Sequence, residues 1–132
     1  MSATAMDLLD AFRSHFDQFE LPDLYSVHVI TGSGGPRVSA QLAAHHPPQI
    51  ATGLLAWADT LTDVTAEAWR VPSGDSVHLS VIGRLAEDVT VRVYGGVPFT
   101  PRGPGADLAP NTSATVTLAV LRHLAILGKV TF

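Results

Sequence analysis

Two stretches of this chain echo each other: Ser26-Val27-His28-Val29-Ile30 and Ser76-Val77-His78-Leu79-Ser80-Val81. Both alternate apolar residues with small or polar ones, the mark of a strand with one face buried and one face turned away from the core. Each is followed, after a glycine-containing turn, by a second alternating run and later by a helix-like segment. The echo predicts a ββα unit used twice and places His28 and His78 at matching positions on two strands.

The segments between these strands complete the expected architecture. From Ala5 to Phe19, Leu8, Leu9, Phe12, Phe16 and Phe19 recur at three- and four-residue spacing, which predicts a helix with an aromatic core stripe. Thr4 or Ser2 can cap it, Asp7 suits its first turn, and Leu21-Pro22 ends it. Leu24 to Thr31 and Val38 to Leu42 form a hairpin around Gly32-Ser33-Gly34-Gly35-Pro36. That loop lacks the Gly-Lys-Ser/Thr ending and the following helix of a phosphate cradle, so it reads as a flexible tip. Pro47-Pro48 suits the first turn of a second helix carrying Ile50, Leu54, Trp57, Ala58 and Leu61, to about Thr62. His45-His46 have no third ligand at helical spacing and read as a solvated linker rather than a metal site.

Three more strands are expected at Val64 to Val71, Ser76 to Gly83 and Val89 to Val97. Pro72-Ser73-Gly74-Asp75 and Arg84 to Asp88 connect them, and Gly95-Gly96 marks a bulge or strand end. Pro98 to Pro110, with four prolines, is a long irregular loop of the kind that often carries function. Thr115 to Leu127 favours a closing helix capped by Gly128, although its β-branched start also suits a strand. Lys129 to Phe132 reads as a short edge strand or packed terminus. The expected fold is a single α+β domain over residues 1–132, in the order α-ββ-α-βββ-α. It has two layers: a mostly antiparallel five-stranded sheet with the helices on one face.

Composition narrows the function. The 132 residues are 46% hydrophobic and 15% charged, enough to build a core without disulfides, and the formal charge is −4. A negative chain is a poor general binder of phosphate backbones. The absence of cysteine removes any thiol nucleophile and fits a reducing compartment. No run approaches the about 18 apolar residues of a membrane span, and Asp7 and Asp10 stand where a signal peptide would be basic, so the expected location is cytoplasmic.

The alternation also assigns the two faces of the sheet. If Ser73-Gly74 turns one hairpin and Arg84 to Asp88 the next, Val77, Leu79 and Val81 share the core side with Val89, Val91 and Val93. The other side then collects cross-strand rows: Trp69, His78 and Tyr94; Glu67, Ser80 and Arg92; Thr65, Ile82 and Thr90. His28, Arg37, Ser39 and Gln41 point the same way. Exposed aromatics rimmed by polar groups mark contact surfaces, while the bland alternative is a shielded sheet with an ordinary Glu67–Arg92 pair.

Three functions compete for this face. The first is a non-enzymatic interaction module that self-associates as a homodimer through the open face or an edge strand, or that docks another protein. The second is a small-ligand binder or enzyme using His78, Ser80 and Glu67 beneath the 98–110 loop, with Arg102 and Asp107 as wall residues. The third, nucleic-acid binding, lacks the Arg/Lys-Gly-aromatic pattern of sheet-borne RNA readers and has unfavourable charge. No nucleophile elbow, metal motif or cofactor motif is present, so the interaction module is the preferred expectation.

The segments Trp57-Ala58-Asp59-Thr60-Leu61, Trp69-Arg70, Ser73-Gly74-Asp75-Ser76-Val77-His78-Leu79, Gly83-Arg84 and Val93-Tyr94-Gly95-Gly96 resemble small uncharacterised α/β proteins of actinobacteria and of their phages or mobile elements. The resemblance spans about the second half of the chain. It implies a bacterial cytoplasmic setting, leaves the activity open, and carries over no catalytic residue.

Overall fold

The computed structural model describes residues 4–32, 35–85 and 89–127. Outside them lie the alternative cap Ser2, the loop tip Ser33-Gly34, residues 86–88 of the second hairpin loop, the expected cap Gly128 and the tail from Lys129. The described chain runs α1 (Ala5–Gln18), β1 (Leu24–Ile30), β2 (Arg37–Leu42), α2 (Pro47–Ala58), β3 (Thr62–Arg70), β4 (Ser76–Arg84), β5 (Thr90–Pro98), β6 (Thr112–Val116) and α3 (Leu118–Leu127). The α+β class is as expected, but the sheet has six strands, in the order β1-β2-β5-β4-β3-β6.

The extra strand is β6. Residues 112–114 lie between the expected loop and the expected closing helix, and Thr115-Val116 form the β-branched start of that helix that also suits a strand; all five pair antiparallel with β3, from Arg70↔Thr112 to Ala66↔Val116. Their β-branched residues favour extended backbone, and the unpaired edge of β3 supplies the partner that local sequence cannot reveal. The sheet is also mixed. β2 and β5 run parallel, from Arg37↔Thr90 to Gln41↔Tyr94, while the other neighbours are antiparallel.

This order removes the duplicated ββα unit. Val27 and Val77 share the core side, yet β2 lies on one side of β1 while β5 lies on the opposite side of β4. The two hairpins therefore have opposite hand, and no rotation superposes one on the other. The shared motif is one of strand alternation alone.

α1 starts with a reciprocal cap. Thr4 Oγ1 accepts from the Asp7 amide, and the Asp7 carboxylate accepts from the Thr4 amide, both at 3.1 Å. Its stripe buries Leu8 and Phe12, whereas Phe19 stays exposed. α2 crosses the sheet over β5 and β4 and buries Ile50, Leu54 and Trp57 completely. Phe12 stacks on Trp57 with ring centroids 5.3 Å apart, and His15 stacks at 5.8 Å while its Nε2 lies 2.7 Å from Thr60 Oγ1.

The close seat of α2 depends on Gly95. A Cβ there would lie 2.7 Å from Ile50 Cγ2, well inside van der Waals contact. Gly95-Gly96 is thus not a bulge or strand end, since β5 continues to Pro98 and keeps its register against β4. All three helices belong to one layer, and the sheet face bearing His28 and His78 has no helix over it among the described residues.

A candidate binding face

The register of β3 against β4 sets one side of the uncovered face as expected: Trp69↔His78, Glu67↔Ser80 and Thr65↔Ile82. The register of β4 against β5 is slipped by two residues. Ser80 lies opposite Tyr94, Ile82 opposite Arg92, Arg84 opposite Thr90, and His78 opposite Gly96. The cause is a shorter loop. The Leu85 amide donates to the Val89 carbonyl at 2.9 Å, so both residues join the buried hairpin arms instead of the five-residue loop expected at 84–88. A two-residue slip preserves every side chain's face, so the core assignment holds while the rows change partners.

The result is a continuous diagonal ladder. Trp69 meets His78 edge-on at 5.3 Å between centroids, and His78 stacks on Tyr94 at 5.6 Å and 18°. The Arg92 guanidinium carbon lies 4.6 Å from the centre of the Tyr94 ring, and the Tyr94 hydroxyl donates to Gln41 Oε1 at 3.4 Å. The position opposite His78 is Gly96, where an added Cβ would meet the imidazole only at ordinary contact distance. At one strand spacing of about 4.8 Å per step, the ladder reaches about 14 Å across β3, β4, β5 and β2.

Burial and Arg92 act together on His78. Burial is the larger cause and the nearby guanidinium the smaller, and both hold its pKa below the ordinary histidine value. A neutral imidazole between Trp69 and Tyr94 suits stacking rather than ion pairing.

The slip also separates Glu67 from Arg92. They occupy successive rows rather than one, and no ion pair joins them among the described residues. Arg92 and Arg37 both lack a carboxylate partner among those residues, whereas Arg84 pairs with Asp63. His28 is exposed on the same face, in β1 opposite Ser39.

The catalytic grouping expected from His78, Ser80 and Glu67 is not assembled. Ser80 is only 2% exposed, and no hydrogen bond links the three among the described residues. The loop expected to roof them lies elsewhere. Phe99 and Leu108 pack against the core, and a Cβ at Gly105 would touch Val77, which faces the helices. Arg70 pins this loop from the core side. Its Nη1 donates to the Leu108 carbonyl at 2.9 Å, its Nε donates to Gly74 at 3.0 Å, and the guanidinium lies 3.6 Å from the Phe99 ring centre. Arg102 and Asp107 are exposed on that loop and form no wall of the open face.

Sequence reading missed a concavity of about 390 Å³ at the other end of the face, lined by Ile30, Arg37, Val38, Ser39, Ile82, Thr90 and Arg92. Alternation assigns every one of these residues but Val38 to this side, Ile30 lying two positions from His28 on β1. What joins them is the parallel β2–β5 pairing, which no local pattern announces. No three His, Asp or Glu residues come together as a metal-ligating group, and no helix is long and apolar enough to cross a membrane, among the described residues. No family model, curated protein or solved structure matches this chain.

Proposed function

We propose that the protein is a non-enzymatic interaction module of the cytoplasm that docks a partner protein on its open sheet face. The observation that carries this reading is the Trp69–His78–Tyr94–Arg92 ladder, held ready on a face that no helix covers among the described residues. Aromatic and arginine side chains are the commonest anchors of protein interfaces, and rigid stacked rings lose little entropy on docking. The breadth of the ladder suits a macromolecule, whereas small ligands favour enclosed pockets.

A second copy of the chain is the less suitable occupant. Among the described residues, face-to-face pairing gathers Arg37 and Arg92 from both copies against a single unpaired carboxylate, Glu67, from each. Self-association along the outer edge of β1, by contrast, leaves the face available. The small-ligand or enzyme reading loses support from the unlinked His78, Ser80 and Glu67 and from the loop's position on the helix side.

The test pairs sedimentation velocity with affinity recovery from extracts of the source cell, comparing the wild type with W69A/Y94A. The expected result is loss of a specific co-purifying protein from the double variant while its circular dichroism is unchanged. Identical recovered proteins and identical sedimentation for both forms would end the proposal. A change in the mass of the purified protein alone would transfer the role to self-association.

A further inference from the structure

The concavity beside the ladder has a defined chemistry. Arg37 and Arg92 stand on adjacent parallel strands, Arg37 opposite Thr90 and Arg92 opposite Ser39. Two hydroxyl side chains therefore alternate with two guanidiniums around the depression, and Ile30 and Ile82 add apolar lining. Neither arginine has a carboxylate partner among the described residues, in a protein whose formal net charge is −4. Arg92 is further fixed by its position over the Tyr94 ring. A guanidinium held over an aromatic ring keeps its outward N–H donors directed at a ligand and loses less freedom on binding.

The spacing is informative as well. A one-strand step of about 4.8 Å combined with a two-residue offset of about 6.6 Å separates the two arginine backbones by about 8 Å. Side chains on one face of an extended segment repeat every about 6.6 Å, within reach of both guanidiniums. A single oxyanion can engage either arginine. Two carboxylates at alternate positions of one extended chain can engage both, each through paired N–H donors.

We propose that this concavity is the specificity subsite of the docking face, and that it receives an extended acidic segment of the partner protein with carboxylates at alternate positions. The assignment rests on the reading of the open face as a docking surface and adds the partner's chemistry. The aromatic ladder supplies contact area beside it, while Arg37 and Arg92 select register and sign of charge. Because both arginines are accessible to solvent, their contribution falls with added salt.

The test uses the full-length protein, labelled with ¹⁵N, and a capped peptide of alternating glutamate and serine. Inorganic phosphate and an alternating lysine–serine peptide serve as comparators at equal ionic strength. The expected result is saturable shifts at the Arg37 and Arg92 side-chain Nε–H groups and the Ser39 and Thr90 amides. R37Q or R92Q should each weaken binding by about threefold to tenfold, and R37Q/R92Q should abolish it. The spectra of the variants report that the fold is retained. Equal shifts at Arg102 and Arg122, phosphate binding at the same concentration as the acidic peptide, or unchanged affinity in R37Q/R92Q would overturn the subsite. W69A/Y94A separates the two levels of argument. If it still loses the cellular partner while the acidic peptide fails to bind, the docking face stands and the acidic occupant falls. If it retains the partner while the peptide binds as expected, the docking face fails and the anion site stands alone.

Discussion

Adding one methyl group at Gly95 should unfasten α2 from the sheet, whereas the same change at Gly96 should do almost nothing. Both residues lie in β5, neither has a positive φ, and they face opposite sides. At Gly95 a Cβ would lie 2.7 Å from Ile50 Cγ2, 3.2 Å from Cγ1 and 3.4 Å from Cδ1. Favourable carbon contacts lie at about 3.5–4.0 Å, so the nearest pair overlaps by about 1 Å. Ile50 is fully buried and β-branched, and its Cγ2 cannot swing away without rotating the whole side chain. Overpacking of this kind costs about 1–3 kcal/mol, offset by about 0.4–1 kcal/mol from the stiffer unfolded chain. G95A should therefore lose about 1–2 kcal/mol. At Gly96 the nearest atoms are His78 Cδ2 at 3.4 Å and Nε2 at 3.6 Å, ordinary contacts, so G96A should stay within about 0.5 kcal/mol of wild type. Urea unfolding with linear extrapolation reads both values. I50A alone should cost about 2–5 kcal/mol, and G95A/I50A should cost less than the sum of its singles because the new methyl enters the space Ile50 vacates. A G95A midpoint equal to wild type, or strictly additive singles, would refute the close-packing argument.

Three further outcomes are expected. T4A removes the Oγ1 acceptor of the reciprocal cap on α1 and should cost about 1 kcal/mol in the same assay, while an unchanged midpoint would show the cap to be idle. Burial holds the His15 pKa below the ordinary value, so the folded state favours its neutral form. Its contribution is then complete above about pH 6.5 and is lost as pH falls through that value toward the lower folded pKa. The urea midpoint of wild type should drop more than that of H15Q between about pH 7.5 and about pH 5.5, and parallel pH profiles would contradict this sign. R70M deletes the Nη1 donor to Leu108 and the guanidinium contact with Phe99 that anchor the 98–110 loop, and it should speed tryptic cleavage after the exposed Arg102, an effect that equal cleavage rates would exclude.

Side-chain alternation carried most of what could be read from residue order. It assigned the core and open faces of β3, β4 and β5 correctly, because a strand's period of two does not depend on its neighbours. It also set the β3–β4 register, since the turn at 72–75 leaves little choice. The Val71 amide donates to the Ser76 carbonyl at 3.1 Å, and the Gly74 amide donates to Val71 at 2.8 Å. The next hairpin slipped because charged residues at 84 and 87–88 suggest a longer loop, whereas the burial of Leu85 and Val89 shortens it. Pairings between distant segments were out of reach. The β2–β5 seam and the β3–β6 edge join strands that are far apart in the chain, and their partners are chosen by packing of the whole layer. The candidate residues were therefore placed on the right face, while the concavity that gathers Arg37, Ser39, Thr90 and Arg92 depended on a seam absent from any local pattern.

That seam has a kinetic consequence. β1–β2 and β3–β4–β5 are each closed by short hairpins, so both can form early and locally, while β2 must find β5 across the intervening helix and strands. The β2–β5 ladder is thus a late-forming join between two prefabricated parts of the sheet. An acidic chain bridging Arg37 on one part and Arg92 on the other binds only when the join is closed. By mass action it shifts the opening equilibrium toward the closed sheet, and amide exchange along 37–41 and 90–94 should slow in proportion to occupancy. Recognition and the last step of folding then share one hydrogen-bonded boundary.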